Sequence, residues 1–353
     1  MSATRGRLRV VVVGGGVVGR SVARAAARAG LQATRVADGG AAASTVPVAL
    51  LNPHRGRTGR ARPEDLAALA TTWRWADELE AEGFAPGAHR TGAVRVADGP
   101  KQAAAFAAAG LASTAAAGVR APHGAFLVPD GGWLDPRAWL AALTRSAQAH
   151  GARCHEDRTV VAAERGVAGG WRLHLRGIEP GGGADLDRHG APATVLDADQ
   201  VVFAIGATAW PPGLEAAFGA APPVERIAGD VVVTRHPAPP LPLAGATYVA
   251  PVARGGTPTA AIGGHHRPAG PPGADAAARL RAAARWTLPG LGEPDPEDRV
   301  WWGVRAKRPG GRPEVQELAP GVRWVGGFAG RGFLAAAAVA ETLVEAIADE
   351  GAG

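Results

Sequence analysis

Three glycines near the amino end, Gly14, Gly16 and Gly19, stand in the order Gly-x-Gly-x-x-Gly, and an acid, Asp38, follows twenty-two residues after Gly16. That spacing suits a dinucleotide. The first glycine permits a tight turn, the second lets backbone approach a diphosphate, and the third lets a helix pack closely on the preceding strand. The helix opening at Val17 and Val18 offers unpaired N–H groups and a partial positive charge to the phosphates. Asp38 would accept hydrogen bonds from a ribose. This pattern alone does not separate FAD from NAD. A second glycine-rich stretch, Gly326-Gly327-Phe328-Ala329-Gly330-Arg331-Gly332, joins the last strand to the last helix and by itself reads as an ordinary connection.

Other chemistries find little support. The one cysteine, Cys154, excludes an intrachain disulfide and a cysteine-pair metal site, and reads as a small core residue in a reducing compartment. His265 and His266 are adjacent and lack the i, i+4 spacing of metal ligands, so they are expected at the surface or a pocket edge, and no metal is expected. None of the five serines lies in Gly-x-Ser-x-Gly, and the glycine-rich phosphate loop of nucleotide triphosphatases is missing.

The elements that must position these residues can be read from periodicity. Leu8 to Val13 is a β-branched run that predicts a strand, and the helix after it runs to Ala29 and ends at Gly30. Arg20, Arg24 and Arg28, four residues apart, read as its solvated face. A second strand, Ala33 to Ala37, leads to Asp38. Pro63, Glu64 and Asp65 open a helix carrying Leu66, Leu69, Trp73, Ala76 and Leu79 as far as Gly83, and Ala103 to Ala117 predicts another. Asp135-Pro136 is an N-cap with proline at the first helical position, for a helix reaching Gly151. Strands are expected over Arg153 to Val161, Trp171 to Arg176 and Thr194 to Ala204, with a turn at Gly181-Gly182-Gly183 among them. Asp230 to Thr234, Thr247 to Val252 and Thr259 to Ile262 suggest an antiparallel sheet within a Pro- and Gly-rich stretch. Val322 to Val325 and an Ala-rich helix to about Ala348 complete the chain.

At 353 residues the chain exceeds what one core usually supports, and 46% hydrophobic residues are enough to bury two. The formal charge of +6 rests on arginine, since only Lys101 and Lys307 are lysines. Such a balance suits an anionic partner, but no block of consecutive like charges forms a nucleic-acid patch. The basic, apolar stretch Arg5 to Val18 is broken by glycines and holds the nucleotide motif, so it is not read as a signal peptide. No apolar run approaches the ~20 residues that span a bilayer, and the cytoplasm is the expected location.

Taken in order, several stretches resemble the D-amino-acid-oxidase-type family of FAD oxidoreductases, which includes glycine oxidase, sarcosine oxidase and the oxidase half of the bifunctional tRNA wobble-uridine modification enzymes. They are the opening glycine motif, Ala43-Ser44-Thr45, Gly131 to Pro136, Val202 to Ala207, Tyr248 to Pro251, Trp302 to Arg305 and Gly326 to Phe333. The resemblance implies non-covalent FAD, because the cysteine that attaches flavin near the carboxyl end of some relatives is missing here. Ser44, Thr45, Val160 and Gly206 would join Gly14, Gly16, Val17, Val18, Gly19 and Asp38 in holding it. Gly327, Gly330, Arg331, Gly332 and Phe333 would lie beside its ring, where the last helix's N-terminus favours the anionic reduced form. Arg305 and Tyr248 would hold a substrate carboxylate, with His54 and Arg55 bordering the site.

The implied fold is a Rossmann-type FAD-binding domain (1–85, 131–210 and 297–353) interleaved with a smaller α+β substrate domain (86–130 and 211–296) on a largely antiparallel sheet. The implied reaction is oxidation of a C–N bond in a small amine or amino acid by hydride transfer to flavin. Reoxidation would be by molecular oxygen or another acceptor. Gly131 to Pro136 and Gly330-Arg331-Gly332 with Glu341 also resemble the tRNA-modifying oxidase, which makes a carboxymethylaminomethyl uridine an alternative substrate, although Lys307 to Glu317 lacks that group's Asp-x-x-Pro-x-x-Gly. A non-catalytic dinucleotide-binding protein is the alternative from another class.

Overall fold

The structure is a computed structural model that describes residues 7–39, 43–167, 169–178, 194–254 and 257–352. The turn expected at Gly181 to Gly183 lies outside them, as does the side chain of His265. The helices are α1 (Val17–Arg28), α2 (Pro63–Ala81), α3 (Pro100–Ala108), α4 (Pro136–Ala149), α5 (Pro212–Phe218), α6 (Ala276–Arg285) and α7 (Gly332–Ala352).

A six-stranded sheet forms the first layer, in the order Glu314–Ala319, Val322–Gly326, Gln200–Phe203, Arg9–Val13, Gln32–Val36, Arg153–His155. All neighbours are parallel except the terminal hairpin of Glu314–Ala319 with Val322–Gly326. Parallel strands are covered on both faces, and the valine run at the start of the chain serves both. Val10 and Val12 pack with α1, α2, α4 and α7, while Val11 and Val13 pack beneath a three-stranded antiparallel sheet of Arg158–Arg165, Trp171–Gly177 and Thr194–Ala198.

An eight-stranded sheet forms the second layer, in the order Arg299–Lys307, Glu225–Pro237, Thr257–Pro268, Tyr248–Arg254, Leu243–Ala244, Ala93–Val96, Ala125–Val128, Ala112–Thr114. It is antiparallel apart from the pairing of Leu243–Ala244 with Ala93–Val96. Leu280 and Ala284 of α6 close its core with Val94, Val232 and Ile262. A small sheet of Ala49–Leu51, Gly132–Leu134 and Ala88–His89 completes the set. The fold is thus mixed α/β, with one parallel and one antiparallel layer. The strand Arg299–Lys307, grouped by the sequence division with the nucleotide-binding segments, hydrogen-bonds instead to Glu225–Pro237 in the eight-stranded sheet.

Several local readings need correction. The stretch Thr194 to Ala204 is two strands in two sheets, split at Asp199, whose carboxylate accepts from the Arg9 backbone N–H at 2.8 Å and from its guanidinium at 2.6 and 3.1 Å. Arg153 to Val161 is likewise divided. The helix expected over Ala103 to Ala117 is α3, which ends at a left-handed Gly110 (φ 81°) before the strand Ala112–Thr114.

The arginine face of α1 is solvated only in part, with Arg28 exposed and Arg20 half-buried. Arg24 is fully buried, bonding Ser146 Oγ at 2.9 Å, Glu82 at 3.0 Å and Glu78 at 3.2 Å, with its guanidinium 4.5 Å from the Trp75 ring centroid. Helix α4 packs beside α1, and Glu78 and Glu82 reach Arg24 from the end of α2, so part of a face that looks polar in sequence becomes an ion-paired interface. No helix among the described residues is long and apolar enough to cross a membrane.

Candidate active site

Four of the expected cofactor positions follow the carboxyl ends of neighbouring parallel strands: Gly14 after Arg9–Val13, Asp38 after Gln32–Val36, Gly206 after Gln200–Phe203 and Gly327 after Val322–Gly326. That edge is where open parallel sheets receive ligands. Gly14 has φ 139°, and a side chain there would collide with the Ala204 carbonyl. One at Gly19 would collide with the Gly14 backbone, and one at Gly15 would come within 2.9 Å of Ala37 Cβ. Gly16, in extended conformation, precedes α1 with no side-chain cap and no acid in the first turn. The Val17 N–H donates to Ser44 Oγ at 3.0 Å, and Trp301 Nε1 donates to Thr45 Oγ1 at 3.1 Å. Val18 is half-buried and Asp38 exposed. Val160 is buried in the core beside a bulge in its strand. Gly206 has φ 62° and open space where a side chain would be.

The tight glycine cradle and a helix start whose N-cap residue has no capping side chain fit the diphosphate of FAD. The residues that would hold it are Gly14, Gly16, Val17, Val18 and Gly19, with Asp38 at the ribose end.

The two ends of the chain meet. A methyl group at Gly332, the first residue of α7, would lie 3.3 Å from Val17 Cγ1. Phe333 is half-buried against the helical core, and the next carbonyl, of Leu334, accepts from Thr72 Oγ1 at 3.0 Å. Gly327 takes φ 78°, and any side chain there would strike Arg308. Ala329, at φ 50°, is the one non-glycine residue with positive φ among the described residues, a strain of the kind held at ligand sites. Arg331 is buried and paired with Asp65 of α2 at 3.2 Å, and it also donates to the Gly311 carbonyl. Its charge is therefore largely offset, and the α7 N-terminus adds to the positive potential that Arg55 and Arg305 bring to this turn.

Beside the turn lies a cavity of about 390 Å³, walled by the loop Pro53 to Arg62, the strand Arg299–Lys307 and Ala329 to Arg331. Arg305 enters it from the strand, opposite Ile227 in register. Gly229 makes room for it, since a side chain at Gly229 would sit 2.8 Å from Arg305 Nη2. The half-buried Arg305 guanidinium has no hydrogen-bond or ion-pair partner among the described residues. Burial lowers its pKa, and nearby Tyr248 opposes the shift.

Tyr248 does not line the cavity; it packs over Gly263, where a side chain would lie 2.5 Å from the phenol oxygen. Burial raises its pKa, against the pull of Arg305. Arg55 approaches Gly330 from the other wall, donating to its carbonyl at 3.3 Å. Desolvation, followed by repulsion from Arg331, lowers the Arg55 pKa to about 10.

His54, expected to border the site, is absent from the cavity wall. Its Nδ1 lies 2.8 Å from the Gly59 carbonyl and its N–H donates to Asn52 Oδ1 at 2.9 Å, so it shapes its own loop. His266 does line the wall. Arg60 and Arg62, also on the wall, were missed by the sequence reading, as were Gly229 and Gly263. Four arginines within eight residues, Arg55, Arg57, Arg60 and Arg62, were the available signal for the first pair. The glycines have no sequence signal, because their purpose lies in neighbours distant along the chain.

Comparison with known proteins agrees with this geometry. A sequence model of the family described as FAD dependent oxidoreductase (DAO) matches residues 9–346. Among solved structures, glycine oxidase from Geobacillus kaustophilus superposes with a TM-score of 0.77 at 21% identity, covering 97% of this chain and 95% of that one. Iminodiacetate oxidase from Chelativorans sp. BNC1 gives 0.76 at 18%, covering 97% and 95%. L-proline dehydrogenase from P. horikoshii gives 0.69 at 17%, covering 98% and 94%. A search of the curated proteins found no match.

Proposed function

The chain belongs to the FAD-dependent oxidoreductase family, and from that premise we propose that it oxidises the C–N bond of a small amine or amino acid bearing a carboxylate. When bound, FAD supplies a two-electron acceptor for the hydride on the carbon beside the substrate nitrogen. The chain's own residues hold and orient the substrate. Arg305, a half-buried guanidinium without a carboxylate partner among the described residues, is the observation that carries the reading. It offers two parallel charge-assisted hydrogen bonds to a carboxylate and so fixes the neighbouring carbon against the Ala329–Gly330 turn.

The field of the cavity also selects a protonation state. With Arg55 and Arg305 both facing it, an ammonium group is disfavoured and the neutral amine, the form able to give up hydride, is favoured. The backbone N–H groups at the α7 N-terminus stabilise negative charge that develops beside them. The imine product leaves to react with water, giving an oxo acid or aldehyde plus ammonia or an amine. Non-covalent attachment of FAD is part of the proposal. Cys154 lies on the strand Arg153–His155 at the far edge of the six-stranded sheet, away from the C-terminal turn. Molecular oxygen or another acceptor would reoxidise the cofactor.

The test is anaerobic bleaching of the yellow protein by glycine, sarcosine, proline, D-amino acids, iminodiacetate and a carboxymethylaminomethyl nucleoside. Bleaching by at least one carboxylate-bearing amine is expected. A flavin left oxidised by all of them would defeat the assignment.

A further inference from the structure

Several buried arginines of this molecule have acid partners, while Arg95 spends its donors on backbone carbonyls. Arg24 meets Glu78 and Glu82, Arg35 meets Glu156, and Arg281 meets Asp298 at 2.5 Å. The cavity is different. Arg55, Arg60, Arg62, Arg305, Lys307 and Arg331 all line it, against a single carboxylate, Asp65, which is taken by Arg331. Lys307 is paired with Glu225 at 3.0 Å. Four arginines of this lining, half-buried Arg305 and exposed Arg55, Arg60 and Arg62, therefore have no ion-pair partner among the described residues.

Their placement is built. Arg95 donates to the carbonyls of His54 and Gly56, His54 ties Gly59, and Gly59 (φ 64°) is wedged against the Phe106 ring, so the loop carrying Arg55, Arg60 and Arg62 is pinned at several points. Desolvation and like-charge repulsion already depress the Arg55 pKa, as expected of a cation awaiting an anion.

One substrate carboxylate on Arg305 leaves three of the four uncompensated. The diphosphate of the dinucleotide does not account for them either, because none of Gly14 to Val18 lines this cavity.

We propose that the substrate carries a second anionic group, carboxylate or phosphoryl, bound by Arg55, Arg60 and Arg62 while Arg305 holds the carboxylate next to the reacting carbon. This rests on the amine-oxidation reading for the role of Arg305, and it narrows the substrate class to amines with two or more negative charges. Two oriented anionic contacts also fix the rotation of the substrate about its reacting carbon, which one contact does not.

The test separates binding from turnover. Flavin-loaded protein is titrated with acetate, succinate and phosphonoacetate, following the perturbation of the flavin spectrum. Succinate or phosphonoacetate is expected to bind at least about tenfold tighter than acetate, and whichever wins identifies the second group. In Arg60→Ala/Arg62→Ala, whose altered side chains are exposed on the loop, that ratio should fall toward one. It should survive in Arg60→Lys/Arg62→Lys if charge suffices. Dianions no tighter than acetate, or a ratio unmoved by the double alanine variant, overturns the proposal. So does a short RNA that perturbs the flavin while succinate does not. Turnover of sarcosine against iminodiacetate and N-phosphonomethylglycine is measured in parallel. If no amine bleaches the flavin the oxidation reading fails, whereas the dianion-to-acetate ratio decides the present point in either case.

Discussion

At the scale of single residues, Arg305 stands out because its guanidinium is half-buried and still has no acid partner among the described residues. Truncating it removes a charge-assisted contact that no neighbour replaces, so Arg305→Ala should lower kcat/KM for carboxylate amines by about 2 kcal/mol, or about thirtyfold, while the flavin stays bound. Arg305→Lys should recover only part of the loss, because an ammonium cannot make the paired contact. Unchanged kinetics in the alanine variant, measured with a substrate found by flavin bleaching, would remove its assigned role. The residue type and position of Arg305 were legible through resemblance to a family. Its isolation from acids was not, since that depends on which of thirty-two acidic residues come near. His54 shows the reverse. A histidine beside a loop invites a chemical role, and only the 2.8 Å contact with the Gly59 carbonyl reveals a structural one.

At the scale of elements, helix α4 was readable because its signals are local: Asp135 caps the backbone N–H groups of Arg137 and Ala138, and Pro136 occupies the first turn. The break at Asp199 was not readable. Nothing in Thr194 to Ala204 announces that the chain changes sheets, because the deciding partner, Arg9, is 190 residues away. The hydrogen bonds from the Arg9 side chain, then its backbone N–H, hold the Asp199 carboxyl below its ordinary pKa despite the opposing effect of burial. A carboxylate whose folded pKa is depressed contributes stability above its unfolded pKa of about 3.9, and loses it as pH falls through the folded value. Asp199→Asn is therefore expected to cost about 1 kcal/mol at pH 7, with the gap from wild type closing below about pH 4. Urea unfolding at pH 7 and pH 3 checks this, and a gap that widened in acid would contradict it.

At the scale of the whole molecule, the two ends of the chain meet at one edge of the six-stranded sheet, and cofactor binding should tie them together. FAD, but not NAD, is expected to raise the melting temperature of stripped protein, and by more than 2.7 kcal/mol of linkage once its concentration exceeds about one hundred times Kd. Gly14→Ala should abolish the increment, since the collision with the Ala204 carbonyl displaces the turn. Equal stabilisation by NAD would count against the family's cofactor in this chain. By itself the sequence determined the dinucleotide turn, the strand before it and the capped helix α4, because each is written in contacts between residues close along the chain or in periodicities of two and 3.6, while the fold class came through resemblance to a family. Only the tertiary structure decided that Arg24 of α1 is buried, that Arg299–Lys307 joins the antiparallel sheet, and that Arg55, Arg60, Arg62 and Arg305 share one cavity. Those outcomes depend on which distant carboxylates and glycines arrive beside each side chain, and the energy of a charge is set by its neighbours in space, which the order of residues does not contain.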